Sequence, residues 1–401
     1  MRPLAPASRA FIVLLGSLTA MTALSIDMSL PALPRLTTVL HVTADRAQLT
    51  LSLFLVGFAL GQLIVGPASD RFGRRPVLLV GLLAFSLAGF GCALSPGIDA
   101  LIACRFLQGM AGSVGPVLGR AAVRDHFSAA RAAQLLSSLI VILAVAPLVA
   151  PILGGQLLHY GSWRSIFWTL GGAGLLLFVL VLVFFGESLR ANDPRALEPR
   201  RLAHHVGLFL ANRTSLVHAL VICCVFGAQF SYISGSPFVI IEVFGVAPER
   251  YGLFFGATAI FLLLGAALNG RLVARIAPAR LLRGGLFTLM IAGLILALAA
   301  VLGGGLVAIL PPLLLFFAGL GFVSPNATAA ALEPMANMAG VASALLGVFQ
   351  MVGGAAAGWA VSALYDRSAR PMAFSVAALG TLAFLVHTVF RVRPRAAPEP
   401  L

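Results

Sequence analysis

Apolar residues in this chain run in long blocks, and the polar residues collect in the short stretches between them. Six blocks lie at 10–33, 47–69, 76–95, 98–120, 132–158 and 165–186. Six more lie at 214–241, 251–273, 281–303, 306–325, 337–363 and 371–390. A helix needs about 20 apolar residues to cross the hydrocarbon of a bilayer, and each block reaches that length. The pattern therefore predicts twelve membrane-spanning helices. A membrane β-barrel would instead alternate polar and apolar residues over about ten positions. Glycine and proline fall inside the apolar blocks, as they do in membrane helices that pack closely and tolerate breaks.

Composition narrows the class. Of 401 residues 60% are hydrophobic and 10% charged, with a mean hydropathy of +1.02. Soluble domains are about 45–50% apolar and about 25% charged, so this chain has too little polar surface to cover two or three of them. Disordered chains fail for the opposite reason. Arg2 and Arg9 followed by an apolar run mimic a secretory signal, but the run continues through Ser25-Ile-Asp-Met-Ser to Pro34. An uncleaved first helix is expected. The longest polar stretch runs from Glu187 to Arg213. It divides the chain into an N-terminal six-helix bundle (1–186), a linker (187–213) and a C-terminal six-helix bundle with a short tail (214–401).

The 27 basic residues, all arginine, exceed the 13 acidic ones, and their placement says why. Twenty fall on one side of the predicted membrane: in the N-terminus, the loops at 71–75, 120–131 and 271–283, the linker and the tail. Six lie on the other: Arg35, Arg46, Arg164, Arg250, Arg367 and Arg370. Arginine-rich loops stay in the cytoplasm, so both termini are expected there. The excess is a topology signal. It argues against nucleic acid, and makes anionic lipid a secondary contact. Cys92, Cys104, Cys223 and Cys224 sit in apolar segments without metal spacing and read as core thiols. The histidines show no ligand spacing, so no metal is expected.

The two halves resemble one another. Gly61, Gly66, Arg71, Leu78 and Gly81 meet Gly265, Gly270, Arg275, Leu282 and Gly285 at a constant offset of 204. Parallel repeats of this kind enclose a central cavity in one large class of transporters.

Two ionisable residues lie within predicted spans, Asp27 and Arg105. A charge at membrane depth is expensive and usually faces a partner or a cavity. One reading is a structural pair, or side chains snorkelling near helix ends. The other is a titrating carboxylate, Asp27, whose affinity for a proton Arg105 would tune. The loop between the second and third helices reads Gly66-Pro-Ala-Ser-Asp70-Arg71-Phe-Gly73-Arg74-Arg75-Pro76. Glycines permit a tight turn there, and Pro76 suits the first turn of the next helix. A solvated turn with topogenic arginines would explain the charges but not the spacing of Gly, Asp, Gly and Arg.

That stretch resembles the loop motif of the major facilitator superfamily, G-x-x-x-D-R-x-G-R-R, at every defined position. The resemblance implies an interdomain latch of Gly66, Asp70, Arg71, Gly73, Arg74 and Asp125. Asp70 would lie near the start of the eleventh helix, and Arg74 would pair with Asp125. Arg105-Phe-Leu-Gln108-Gly109 with Gly112 resembles the fourth-helix motif of proton-driven members. Ala146-Pro147-Leu-Val-Ala150-Pro151-Ile-Leu-Gly154-Gly155 resembles the fifth-helix motif of antiporters, with Ala150 in place of the commoner Gly. Ile26-Asp27-Met-Ser-Leu-Pro31-Ala-Leu-Pro34 resembles the end of helix 1 in drug/proton antiporters of the bicyclomycin/chloramphenicol-resistance (Bcr/CflA) type, with Ser29 where that group usually has Tyr.

What the resemblance implies is an all-α protein of twelve transmembrane helices, in two pseudo-symmetric six-helix bundles around a central cavity. It would reside in a bacterial inner membrane as a monomer. It would export small lipophilic compounds or drugs in exchange for protons, with no cofactor and the proton gradient as its energy source. A carrier of a physiological metabolite is the alternative within the superfamily. A membrane-embedded enzyme would need clustered His, Asp or Glu at one depth, and only Asp27 and Arg105 are offered. Polar residues placed to face a cavity are Gln62, Gln108, Gln229, Tyr232, Asn269, Asn326 and Gln350, though each could equally bond between helices.

Overall fold

The computed structural model describes residues 8–127, 129–189 and 191–390, and every regular element among them is helical. Arg2, Arg190, Arg391, Arg393 and Arg395 lie outside the described residues, as does the side chain of Arg131. The first half contains α1 (Arg9–Asp27), α2 (Leu33–Val39), α3 (Ala44–Phe72), α4 (Arg74–Leu94), α5 (Ile98–Gly112), α6 (Val114–His126), α7 (Ala129–Tyr160) and α8 (Trp163–Phe184). After α9 (Pro199–Ala211) come α10 (Arg213–Pro237), α11 (Pro248–Leu272), α12 (Pro278–Val301), α13 (Leu306–Leu332), α14 (Ala339–Ala363) and α15 (Arg370–Val389).

Two predicted spans are broken, each for a stated chemical reason. Helix 1 halts after Asp27, and a 3-10 turn, Leu30–Ala32, leads into α2. Pro31 and Pro34 bring no N–H to continue the ladder. Ser29 turns its N–H to the Ile26 carbonyl at 3.2 Å, which leaves the Ser25 carbonyl without its usual partner four residues on. The fourth span divides at Ser113 into α5 and α6. Pro116 cannot donate to the Gly112 carbonyl, and the Thr22 hydroxyl of α1 donates to it instead, at 3.1 Å.

Several helices outrun their apolar blocks. The predicted 98–120 continues through α6 to His126, and 306–325 continues through α13 to Leu332. Membrane helices project into the interfacial layer, so the apolar run marks the hydrocarbon and not the helix end. The polar linker contains a helix of its own, α9. Its apolar residues Leu202, Val206, Phe209 and Leu210 recur at helical spacing behind an N-terminal proline. Phe209 is fully buried, with its ring 6.4 Å from that of Phe349 on α14.

The repeat reappears as packing. A Cβ added to Gly61 would collide with the Met110 carbonyl of α5, and one added to Gly265 with the Ala318 carbonyl of α13. Gly81 packs on Val114, and Gly285 on Val323. The same glycines thus bring equivalent helix pairs into backbone contact in each half. Large apolar side chains such as Val80, Leu87, Leu176, Leu253, Leu264 and Leu298 point outward and exposed around the bundle. An apolar outer belt over long helices is what a multi-pass membrane protein presents to lipid.

Candidate functional site

The chain ends that carry Arg9 and Val389 define one end of the bundle; Asp27 lies toward the other, distal end. It is the last residue of α1, 5% exposed, directly before the break. The turn that follows packs against α7, α10 and α11, so this carboxyl sits where the two halves meet. The fifth-helix motif shapes that junction. A Cβ on Gly154 would collide with the Met28 carbonyl, while one on Gly155 would lie 2.7 Å from the Pro248 carbonyl of α11. Two consecutive glycines therefore seat α7 against α1 on one side and against α11 on the other. Pro147 and Pro151 lie within α7 one helical turn apart.

Arg105 does not pair with Asp27. It is fully buried, and its Nη2 donates to the Ser25 carbonyl freed by the break, at 3.2 Å. Its Nε donates to the Thr50 carbonyl at 3.2 Å and its Nη1 to Gln108 Oε1 at 2.9 Å. The guanidinium also lies 4.3 Å from the Phe54 ring centre and 5.6 Å from that of Phe167. Carbonyl dipoles and aromatic faces thus satisfy the cation without a carboxylate. The direct Asp27–Arg105 pair suggested by the sequence is absent among the described residues; the helix break frees a carbonyl, that of Ser25, which takes the guanidinium instead. Among the described residues no ion pair or hydrogen bond reaches the Asp27 carboxyl. Tyr251 of α11 is within its electrostatic reach, fully buried, with its hydroxyl 2.9 Å from that of Ser236.

The seven polar candidates divide. Asn326 donates to Asn269 at 2.7 Å and to the Phe322 carbonyl at 2.7 Å, so both asparagines tie α11 to α13. Gln108 serves Arg105. Tyr232 is buried between Phe255 (ring centres 5.8 Å apart) and Phe317 (5.1 Å), and its hydroxyl has no hydrogen-bond partner among the described residues. Gln62 is buried, with Oε1 unpartnered, against Gly347 across the interface of the halves. Gln229 and Gln350 are partly exposed and make no side-chain hydrogen bond to the described residues. Gln62, Gln229, Gln350 and the Tyr232 hydroxyl, from α3, α10 and α14, retain polar capacity for a ligand.

At the other end of the bundle, Gly73 closes the turn between α3 and α4 with φ of +98°, a conformation that favours glycine. Arg74 Nη1 lies 2.6 Å from Asp70, and its Nε lies 3.1 Å from Asp125 at the end of α6. Asp70 meets Arg74 and, through its carbonyl, the Asp193 N–H; it makes no hydrogen bond or ion pair with α14. Gly66 faces open space, and Arg71 lies over the Phe72 ring on the surface. Glu187 was missed by the sequence reading. Its carboxylate accepts from the backbone N–H groups of Arg74 (2.9 Å) and Arg75 (3.1 Å), capping α4. The signal was an acidic residue directly after the sixth apolar block.

Three polar bonds join the first six spans to the last six among the described residues, all in the distal half. Gln48 Nε2 donates to Ser234 at 2.6 Å, Ser52 donates to the Ala355 carbonyl at 3.2 Å, and His159 meets Glu249 at 2.5 Å. Gly252 of α11 packs on Ile152 of α7 in the same layer. The distal end is closed.

Comparison with known proteins places this geometry. The model of the Major Facilitator Superfamily matches residues 15–358, and the chain belongs to that family of membrane transporters. The uncharacterized MFS-type transporter YdgK of Bacillus subtilis is 36% identical over 388 residues, 96% of each chain. A bicyclomycin resistance protein homolog of Haemophilus influenzae is 30% identical, over 94% of this chain and 95% of the relative. The multidrug resistance protein MdtL of Klebsiella pneumoniae is 28% identical over 93% of each. Among solved structures, the xylose transporter XylE from E. coli, partially occluded and inward open, superposes with a TM-score of 0.74 at 17% identity. That match covers 96% of this chain and 99% of the other, and shows a shared fold.

Proposed function

We propose that this transporter exports small lipophilic compounds, drugs among them, in exchange for protons. The halves 1–186 and 214–401, joined by 187–213, rock about a central site so that it opens to one side of the membrane at a time. The protein works in a bacterial inner membrane with both termini in the cytoplasm, as a monomer surrounded by lipid. It uses no cofactor beyond the proton gradient. The distal end is then the outer end, and the structure described is an outward-closed state.

The observation that carries the reading is the solitary burial of Asp27 at the meeting of the halves. An unpaired carboxylate is costly to bury and tolerable as the neutral acid. A group that must take a proton to be enclosed, and can release it when its surroundings open to water, couples proton movement to alternating access. Arg105 acts on this site through structure, holding Ser25 and therefore the helix break that places Asp27. The few polar anchors among largely apolar helices suit a lipophilic substrate. The printed names of the relatives, bicyclomycin resistance and multidrug resistance, support the substrate class.

In the same reading the Arg74–Asp70–Asp125 cluster is one half of a latch. In the opposite, outward-open state Asp70 moves against the start of α14, where its charge meets the helix N-terminus. A compound-sensitivity panel in an efflux-deficient bacterium tests the proposal. Wild type should raise resistance to several lipophilic compounds, and Asp27→Asn should not, at equal expression. Resistance unchanged by wild type would point to a metabolite carrier instead.

A further inference from the structure

One of the three bonds across the distal seal carries charge. His159, at the end of α7, meets Glu249, in the first turn of α11, through Nδ1 and Oε1 at 2.5 Å. The histidine is 50% exposed and the glutamate 29%, so both can exchange protons with the outer solution. Their separation is fixed by the backbone beneath them. Gly155, one turn before His159, packs directly on the Pro248 carbonyl and the Glu249 Cα. These two side chains belong to different halves and must part whenever the outer end opens.

We propose that His159 and Glu249 form a proton-sensitive clasp on the outer face, in addition to the coupling carboxyl at Asp27. The inference rests on the orientation given above, with the distal end outside. An imidazole ordinarily changes charge between about pH 5 and pH 8. With the His159 ring protonated the contact is an ion pair as well as a hydrogen bond, and it favours the closed outer end. With the ring neutral the ionic part is lost, and the halves separate more readily. The other ionisable groups at the pair are Tyr160, whose ring meets His159 edge-on at 4.9 Å, and Arg250 beside Glu249. Arg164, near in sequence, is turned away to the Ser95 carbonyl and the Trp163 ring. His159 is thus a positioning residue for the transport cycle, acting on the outer gate.

The test separates this clasp from Asp27 by working in an Asp27→Asn background of the full-length protein. The four cysteines are replaced by alanine, and spin labels are placed at Leu94 and Leu302. Both positions are exposed at distal helix ends, one in each half. Distance distributions are recorded at about pH 5.5 and about pH 8, to either side of the ordinary imidazole range. A partly exposed pair predicts an outer-closed to outer-open ratio about two- to fivefold higher in acid. His159→Gln should abolish that response, and His159→Arg should give the acid distribution at both pH values. A response that survives His159→Gln, or none with His159 present, overturns the clasp. Either result leaves the Asp27 proposal to stand or fall on its own transport assay.

Discussion

Arg105 shows how far a single residue can be understood from its neighbours. A buried cation invites the search for a carboxylate, yet this one is held by carbonyls, an amide and two aromatic rings. Arg105→Ala should leave the Ser25 carbonyl without this donor and Gln108 Oε1 with only the Cys92 thiol at 4.0 Å, at a cost of about 2–4 kcal/mol seen as a lowered unfolding temperature. Arg105→Lys should recover only part of it, because an ammonium cannot reach three acceptors in one plane or lie flat on Phe54. Full recovery by lysine would contradict this account. The residue itself was legible in the sequence, as was Asp27, because charges in apolar blocks stand out. Their partners were not. Every residue has a carbonyl, and only the helix break reveals that Ser25 has one to spare. For the asparagines bonding between helices was one open reading, but nothing in composition says that Asn269 and Asn326 satisfy each other.

Among the elements, the breaks and seams set how the spans pack. Gly154→Val should prevent α7 from seating on the break after Asp27, reducing both stability and transport. Gly66→Ala should be tolerated with the distal end closed, because nothing lies near it. Equal thermal stability of the two variants would argue against the packing described. The linker offers a test by pH. Hydrogen bonds from the Arg195 backbone N–H and the Arg201 guanidinium hold the Asp193 carboxyl below the usual carboxylate range. A lowered value in the folded protein stabilises above the ordinary carboxylate value of about 3.9 and is lost as pH falls through the folded value. Protection of the α9 amides against hydrogen exchange should therefore decline in acid, and Asp193→Asn should remove that dependence. Spans were legible because an apolar block of membrane length has few other meanings. The linker helix was not, since its apolar face is short and is completed by Phe349, 140 residues away from Phe209.

For the whole molecule, the duplicated halves make alternating access a matter of symmetry. Equivalent glycines give each half the same internal packing, so each can move as a body while the contacts between them exchange. Among the described residues the polar bonds that cross between halves lie at the distal end, and Asp70 in the Arg74 cluster at the opposite end makes no hydrogen bond or ion pair with α14. The Asp27 carboxyl lies beside the end that is closed. The most direct measurement places the purified protein in liposomes with an imposed pH gradient and follows a lipophilic substrate together with internal pH. Substrate should move against its gradient only while protons move the opposite way, and Asp27→Asn should abolish both fluxes while thermal stability is kept. Gradient-driven transport of wild-type size in Asp27→Asn would contradict the central claim.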